Sequence, residues 1–304
     1  LKKQAQFRKL IWISFRIACT RGIASMRNWV SFVFALVLSV ACLPRSAGAT
    51  PIVWVDDSRG QIGKVDVTAG TSTVVGNSGI GAQDTLTDIA FDPLGNLFGI
   101  GFTGFYSINT TTGLAALIGN HGIAGGNALV FGTDGTAYAG GANTTNIYTI
   151  NTATGAGTSL GNTGFAPSAG DLAFNGGNLY LAAATAGNDT LVRINLANLP
   201  LSAPVGSFGF DNVFGLATGD NGVLYGISGS QVFTVNTATG AGTALSNYGG
   251  SSALLDAFGS SFFTEAGASA VPEPASLFLL GSGIAAAAAR RRALKQRSAS
   301  ASSR

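Results

Sequence analysis

Between residues 50 and 265 short apolar strings recur, many of them alternating with polar positions, with Gly, Asn, Asp and Thr between them. Alternation with a period of two predicts strands, and no long stretch here keeps the helical period of 3.6. The glycine content alone would suit a disordered chain. Regular apolar and aromatic strings argue instead for a buried core.

Two repeats organise the strings. Asn151-Thr152-Ala153-Thr154-Gly155-Ala156-Gly157-Thr158 recurs unchanged at residues 236–243. Looser copies are Asn109-Thr110-Thr111-Thr112-Gly113 and Asp66-Val67-Thr68-Ala69-Gly70. Each follows an alternating string, at residues 62–65, 105–108, 147–150 and 232–235, and precedes another. A second unit begins at Ile89, with cousins at Leu129, Leu172, Leu216 and, degenerate, Leu254, spaced by 40, 43, 44 and 38 residues. It is an apolar string, a tight turn such as Asp134-Gly135 or Asp220-Asn221-Gly222, and a second string. Asp-Gly and Asn-Gly favour the left-handed backbone of such turns.

Four strands per period of about 40–45 residues make one blade of a β-propeller. A single twisted four-stranded sheet buries both faces only between neighbours around an axis. The predicted fold is therefore an all-β propeller over residues 50–268, followed by a C-terminal hydrophobic helix. Five blades are expected. A six-bladed or irregular ring is the alternative, because Phe262 and Phe263 read as a surplus string. Residues 52–76 supply strings two to four of a closing blade and residues 253–258 its first. Such closure hides the edges an open sheet would expose.

The ends differ from this middle. Met26 is the single methionine, Arg27 follows, an apolar core spans residues 29–43, and Pro44 ends it. Small residues at Ala47 and Ala49 suit signal peptidase, so residues 26–49 read as a signal peptide. Residues 1–25 are expected to lie upstream of the true start. An N-terminal anchor is the alternative; a lipoprotein site at Cys42 lacks leucine three residues before it. Both cysteines, Cys19 and Cys42, fall in this leader, which leaves the mature chain without disulfide or thiolate chemistry. All 14 acidic residues but only three basic ones, Arg59, Lys64 and Arg193, lie between residues 50 and 289, a net charge of −11. Such a surface cannot neutralise phosphates, which excludes nucleic acid as a partner.

Near the C-terminus Val271-Pro272-Glu273-Pro274 precedes an apolar run to residue 289, and Arg290-Arg291-Arg292 follows. The prolines keep the first part extended and accessible. The apolar part partitions into lipid, and the arginines stay on the cytoplasmic side. The run from residue 275 to 289 is 15 residues, shorter than the ~20 that cross a bilayer core. A Pro-capped helix packed on a soluble domain is the other reading. Residues 269–304 resemble the PEP-CTERM sorting signal of Gram-negative bacteria. The resemblance implies recognition by exosortase, an integral membrane enzyme, with transient anchoring in the inner membrane. It also implies export to the cell surface or extracellular matrix and association with exopolysaccharide and biofilm. The repeat region resembles secreted bacterial propellers with Asn-Thr-Ala-Thr-Gly repeats.

No catalytic residue emerges. His121, the single histidine, lies in a Gly-flanked turn and reads as an exposed loop residue. Asp88 and Asp171 stand just before the first strings of their units, where Ala128, Gly215 and Ala253 occupy the other units. Carboxylates on channel-lining strands suit Ca²⁺ or an acid–base pair; strand-end residues accepting backbone N–H groups are the alternative. Asp56 and Asp57 read as a loop at a strand end. The expectation is a non-enzymatic surface or matrix protein without cofactor that binds polysaccharide or other envelope components. The alternative is an extracellular propeller hydrolase or lactonase using the channel carboxylates and Ca²⁺.

Overall fold

The computed structural model describes residues 50–81, 84–249 and 253–267. The expected signal-peptidase site at Ala47 and Ala49 and the expected sorting motif, C-terminal helix and arginine stop lie outside these residues. Among the described residues no helix is long and apolar enough to cross a membrane.

Twenty strands form five four-stranded antiparallel sheets. Blade I contains β4 (Leu86–Phe91), β5 (Leu97–Gly101), β6 (Gly104–Ile108) and β7 (Ala115–Asn120). Blade II contains β8 (Gly126–Phe131), β9 (Ala137–Gly141), β10 (Thr144–Ile150) and β11 (Gly157–Asn162). Blade III contains β12 (Ser168–Asn175), β13 (Asn178–Ala183), β14 (Thr190–Ile194) and β15 (Ala203–Ser207). Blade IV contains β16 (Val213–Thr218), β17 (Leu224–Ser228), β18 (Gln231–Val235) and β19 (Gly242–Asn247). The closing blade joins β1 (Ile52–Asp57), β2 (Gln61–Asp66) and β3 (Thr71–Asn77) to β20 (Ala257–Phe262) from the other end. The inner strands β4, β8, β12, β16 and β20 pack in sequence, and β20 returns to β4, which closes a five-bladed β-propeller.

The split blade is as expected, but its inner strand is displaced from the predicted string. Val55 pairs with Ser260 and Asp56 with Gly259. Ser260 is thus the counterpart of Ile89, Leu129, Leu172 and Leu216, and the last spacing is 44 residues, not 38. Leu254 is fully buried ahead of the strand, against Gly63. Phe262 ends β20, so the surplus string, and with it the six-bladed alternative, disappears.

Blades are joined by two repeated contacts. At the end of each inner strand a residue meets an aromatic from the preceding blade. These pairs are Trp54–Phe91, Phe98–Phe131, Tyr138–Phe174 and Tyr225–Phe262, with ring centroids 5.4, 5.2, 5.7 and 5.4 Å apart. Between blades III and IV the position is Thr218, which Asn175 bonds at 3.2 Å. The second contact is the repeated Asn-Thr turn. The Oδ1 of Asn109 accepts from Thr111 and Thr112 N–H, and Asn151 and Asn236 make the same pair of bonds. Asp66 does so with Thr68 and Ala69. The glycine closing each turn has φ between 64° and 80°, a region that costs other residues strain.

These turns fasten blades together. The outer strands carry Gly76, Gly119 and Gly206, each pressed against the next blade's turn. A Cβ at Gly119 would collide with the Thr154 carbonyl oxygen; Gly76 faces Thr112 and Gly206 faces Thr239 in the same way. Gly119→Ala is therefore expected to destabilise the protein by about 1–3 kcal/mol, the usual cost of overpacking. Gly81→Ala, where an added Cβ meets nothing, should change stability by less than about 0.5 kcal/mol. Urea denaturation of both variants checks the pair, and equal midpoints would remove the fastening role.

Candidate functional site

The axis of the ring carries the cluster that chemistry would draw on. Because each inner strand has one unpaired edge, its backbone N–H groups need acceptors there. Asp88 on β4 supplies them. Its Oδ2 accepts from Leu129 N–H at 2.6 Å, and its Oδ1 from Ile89 at 2.7 Å and Ser260 at 3.2 Å. Asp171 on β12 accepts from Leu172 N–H at 2.6 Å and from Leu216 N–H at 2.5 Å. The Ser260 hydroxyl also donates to Asp171, at 3.3 Å. Asn127 on β8 donates to the Ser168 and Ala169 carbonyls of β12. Side chains thus lace the inner strands together around the axis.

Asp88 and Asp171 are both fully buried and lie close enough for the charge of one to act on the other. Burial, and then the charge of Asp171, pushes Asp88 well above the usual carboxylate range; burial does the same to Asp171. One proton shared between facing carboxyls is the expected state of such a pair. The corresponding positions are Ala128, Gly215 and Gly259, not Ala253. Small residues are required there: a Cβ at Gly259 would strike Asp88, and one at Gly215 would lie 2.8 Å from the Ser260 hydroxyl.

The structure brings Asp56 into this cluster and adds Glu265, Ser260 and Ser261, which the sequence did not single out. Asp56 is not a loop residue. It is the penultimate residue of β1, is fully buried, and neither carboxylate oxygen has a hydrogen-bond partner. Burial raises it to about 8, and Asp57 adds to the shift. Glu265 follows β20 and turns its carboxylate to the Ser261 hydroxyl at 3.3 Å and Thr218 N–H at 3.2 Å. Burial raises it to about 8 as well, although part of its side chain keeps contact with solvent. Ser260 and Ser261 replace the apolar pair of the other inner strands because they face these acids. The signal available in the sequence was this double serine where an apolar string was due.

Asp57, beside Asp56, has a different task. It accepts from the N–H groups of Arg59, Gln61 and Leu255, each at 2.9 Å, and tethers the segment leading into β20. Arg59 lies 3.5 Å from it.

His121 is buried, contrary to expectation. Its Nδ1 accepts from Ile123 N–H at 2.9 Å and its Nε2 donates to the Gly101 carbonyl at 3.0 Å, which holds the ring in one neutral tautomer. Burial lowers its basicity accordingly. Among the described residues no three His, Cys, Asp or Glu side chains are arranged to hold a metal ion as they stand. Two open grooves lie on blade faces. One, of about 310 Å³, is lined by Phe174, Asn178, Arg193 and Leu201; the other, of about 430 Å³, by Asn96, Phe98, Ser107 and Thr110.

Residues 270–292 match the family model of the PEP-CTERM protein-sorting motif. The chain carries a PEP-CTERM sorting signal. The match includes Val271, Pro272, Glu273 and Pro274 and the three arginines at 290–292. The PEP-CTERM signal implies export, a C-terminal membrane anchor before processing, and processing by exosortase. No curated protein matches the chain. Among solved structures, the chain is similar to one in a nidogen–laminin complex, at 16% identity over 70% of this chain and 81% of that one, with a TM-score of 0.49. A second comes from work on the de novo evolutionary emergence of a symmetrical protein, at 18% identity, 65% and 93% coverage and a TM-score of 0.44. A protein of unknown function from Bacteroides caccae matches at 16% identity, 65% and 73% coverage and a TM-score of 0.39.

Proposed function

We propose that the propeller is the exported cargo of the PEP-CTERM signal. It acts at the cell surface or in the extracellular matrix as a non-enzymatic binding or structural module for exopolysaccharide or other envelope components, as in a biofilm. The observation that carries this reading is the sorting motif joined to a five-bladed ring whose paired axial carboxyls are sealed from solvent. A hydrolase using Asp88 and Asp171 would need its substrate to reach side chains that expose no surface. The groove over Phe98 supports a glycan ligand. An aromatic floor rimmed by Asn96, Ser107 and Thr110 offers a stacking face and hydrogen-bonding groups to a sugar ring.

Two measurements test it. Replacing Pro272, Glu273 and Pro274 with alanine should leave unprocessed protein in the inner membrane of a host that has exosortase. The wild type should appear outside, shortened. Identical size and location for both would end the sorting role. A glycan screen run beside a hydrolase panel should find saturable binding without turnover; turnover of any glycan or lactone would favour the enzyme.

A further inference from the structure

The grooves on blades I and III are counterparts. Leu97 pairs with Ile108 in blade I and Leu179 with Ile194 in blade III, and each pair lines its groove. One position along the strands the two differ. Phe98 pairs with Ser107 and Tyr180 with Arg193, so blade III carries a guanidinium where blade I carries a hydroxyl. Blades II and IV place Thr149 and Thr234 there, each opposite a tyrosine, and the closing blade places Lys64 opposite Trp54.

The other basic side chains of the ring are engaged. Arg59 pairs with Asp57, and Lys64 lies over the Trp54 ring at 4.4 Å. Arg193 is exposed and forms no ion pair among the described residues, and no acid lines its groove. The wall of this groove is also its own. The Oδ1 of Asn195 accepts from Ala197 and Asn198 N–H at 3.1 and 3.0 Å, and Asn195 N–H donates to the Ser202 hydroxyl at 3.0 Å. These bonds fix the connection that carries Leu196 and Leu201, which are 38% and 66% exposed. Phe174 and Asn178 line the other side of a space of about 310 Å³, enough for a small ligand.

Charge selects the occupant. A guanidinium holds a carboxylate through two parallel N–H bonds, a geometry that lysine does not reproduce. The acidic remainder of the ring repels a dense polyanion. At physiological salt, however, exposed charges more than about 8 Å away are largely screened. The groove therefore suits a carboxylate carried at intervals on a chain of otherwise neutral sugars.

We propose that the blade III groove binds a uronic acid unit of an acidic polysaccharide. Arg193 holds the carboxylate, Asn178 a hydroxyl, and Leu201 the apolar face of the sugar ring. This inference rests on the glycan-binding reading above and adds the class of sugar.

The full chain is titrated with a hyaluronan hexasaccharide, which has a carboxylate on every second sugar, and with its methyl ester, the same sugars uncharged. At about 20 mM salt the acid should bind about tenfold tighter than the ester, the scale of one charge-assisted hydrogen bond. The preference should shrink at about 0.5 M salt. Arg193→Gln should remove the preference and leave the melting temperature unchanged, since the side chain is exposed. Arg193→Lys should keep part of it, and Ser107→Ala in the blade I groove all of it. Equal binding of acid and ester would overturn the proposal while leaving glycan binding in place. So would an acid preference that survives Arg193→Gln. If neither oligosaccharide binds, the uronate site is overturned, and the glycan screen decides separately whether the broader reading falls with it.

Discussion

A chain lacking residues 50–77 is expected to show no cooperative melt. The deletion removes β1, β2 and β3, three of the closing blade's four strands, and leaves β20 unpaired. With them go Val53, Trp54, Val55, Ile62, Val65 and Val67, all buried. At about 1.5–3 kcal/mol for each buried side chain, the loss matches or exceeds the 5–15 kcal/mol by which a typical domain is stable. The harm also spreads, because β4 packs against β1, and Ala217 of β16 shares a buried cluster with Val53, Val55, Val65 and Val67. A circular permutant separates this effect from simple shortening. With new termini between β3 and β4, the β1–β3 segment follows β20 through a linker and the blade is made continuous. It should melt cooperatively near the parent. A deletion variant that melts like the parent, or a permutant that does not fold, would contradict closure by the two ends.

Acid should stabilise the protein. Asp56 has a folded pKa of about 8 against an unfolded value of 3.8. Its neutral form is favoured in the fold, so this contribution is full below pH 4 and is lost as pH rises towards 8. The slope is up to about 1.4 kcal/mol per pH unit for each such group. Asp88 and Asp171 shift in the same direction, and Glu265 adds a smaller share because part of it meets solvent. Asp66 and Asp84 act oppositely. Backbone bonds, and for Asp84 the Tyr106 hydroxyl, outweigh partial burial and lower both, so their contribution is lost only as pH falls below the ordinary carboxylate range. Maximum stability is therefore expected near pH 4–5. The melting temperature at pH 5 should exceed that at pH 8 by on the order of 10 °C, using the scaling for domains of this size. Asp56→Asn should narrow that gap. A melting temperature that rises from pH 5 to pH 8 would show that these carboxyls are ionised and solvated.

The mild acid optimum has one cause: the ring concentrates carboxyl groups where solvent does not reach. A proton relieves that axis. The closing blade binds this chemistry to the fold, since Asp56, Ser260, Ser261 and Glu265 all belong to it or follow it directly.

Much of the architecture was legible because it is local. The Asn109, Asn151 and Asn236 turns follow from an amide that accepts two nearby N–H groups and a glycine that takes positive φ. Alternation marked the strands, and the repeat of four implied a ring because only neighbouring blades cover both faces of each sheet. The order of prolines, apolar run and arginines likewise reads without a fold, because lipid and a processing enzyme act on a short segment. Blade III was less regular: it keeps the acceptor Asn195 but replaces the Thr-Gly turn with a longer connection through Leu199–Leu201. What the tertiary structure decided depends on groups far apart in the chain. Leu254 drew the fifth inner strand forward in the sequence because it is apolar, whereas β20 uses Ser260 and Ser261 to meet buried acids. His121 carries turn residues on both sides yet is buried, because blades I and II close over it. Asp56 meets Asp88 only when the ring closes, since strand alternation specifies a face and not which distant side chain will share it.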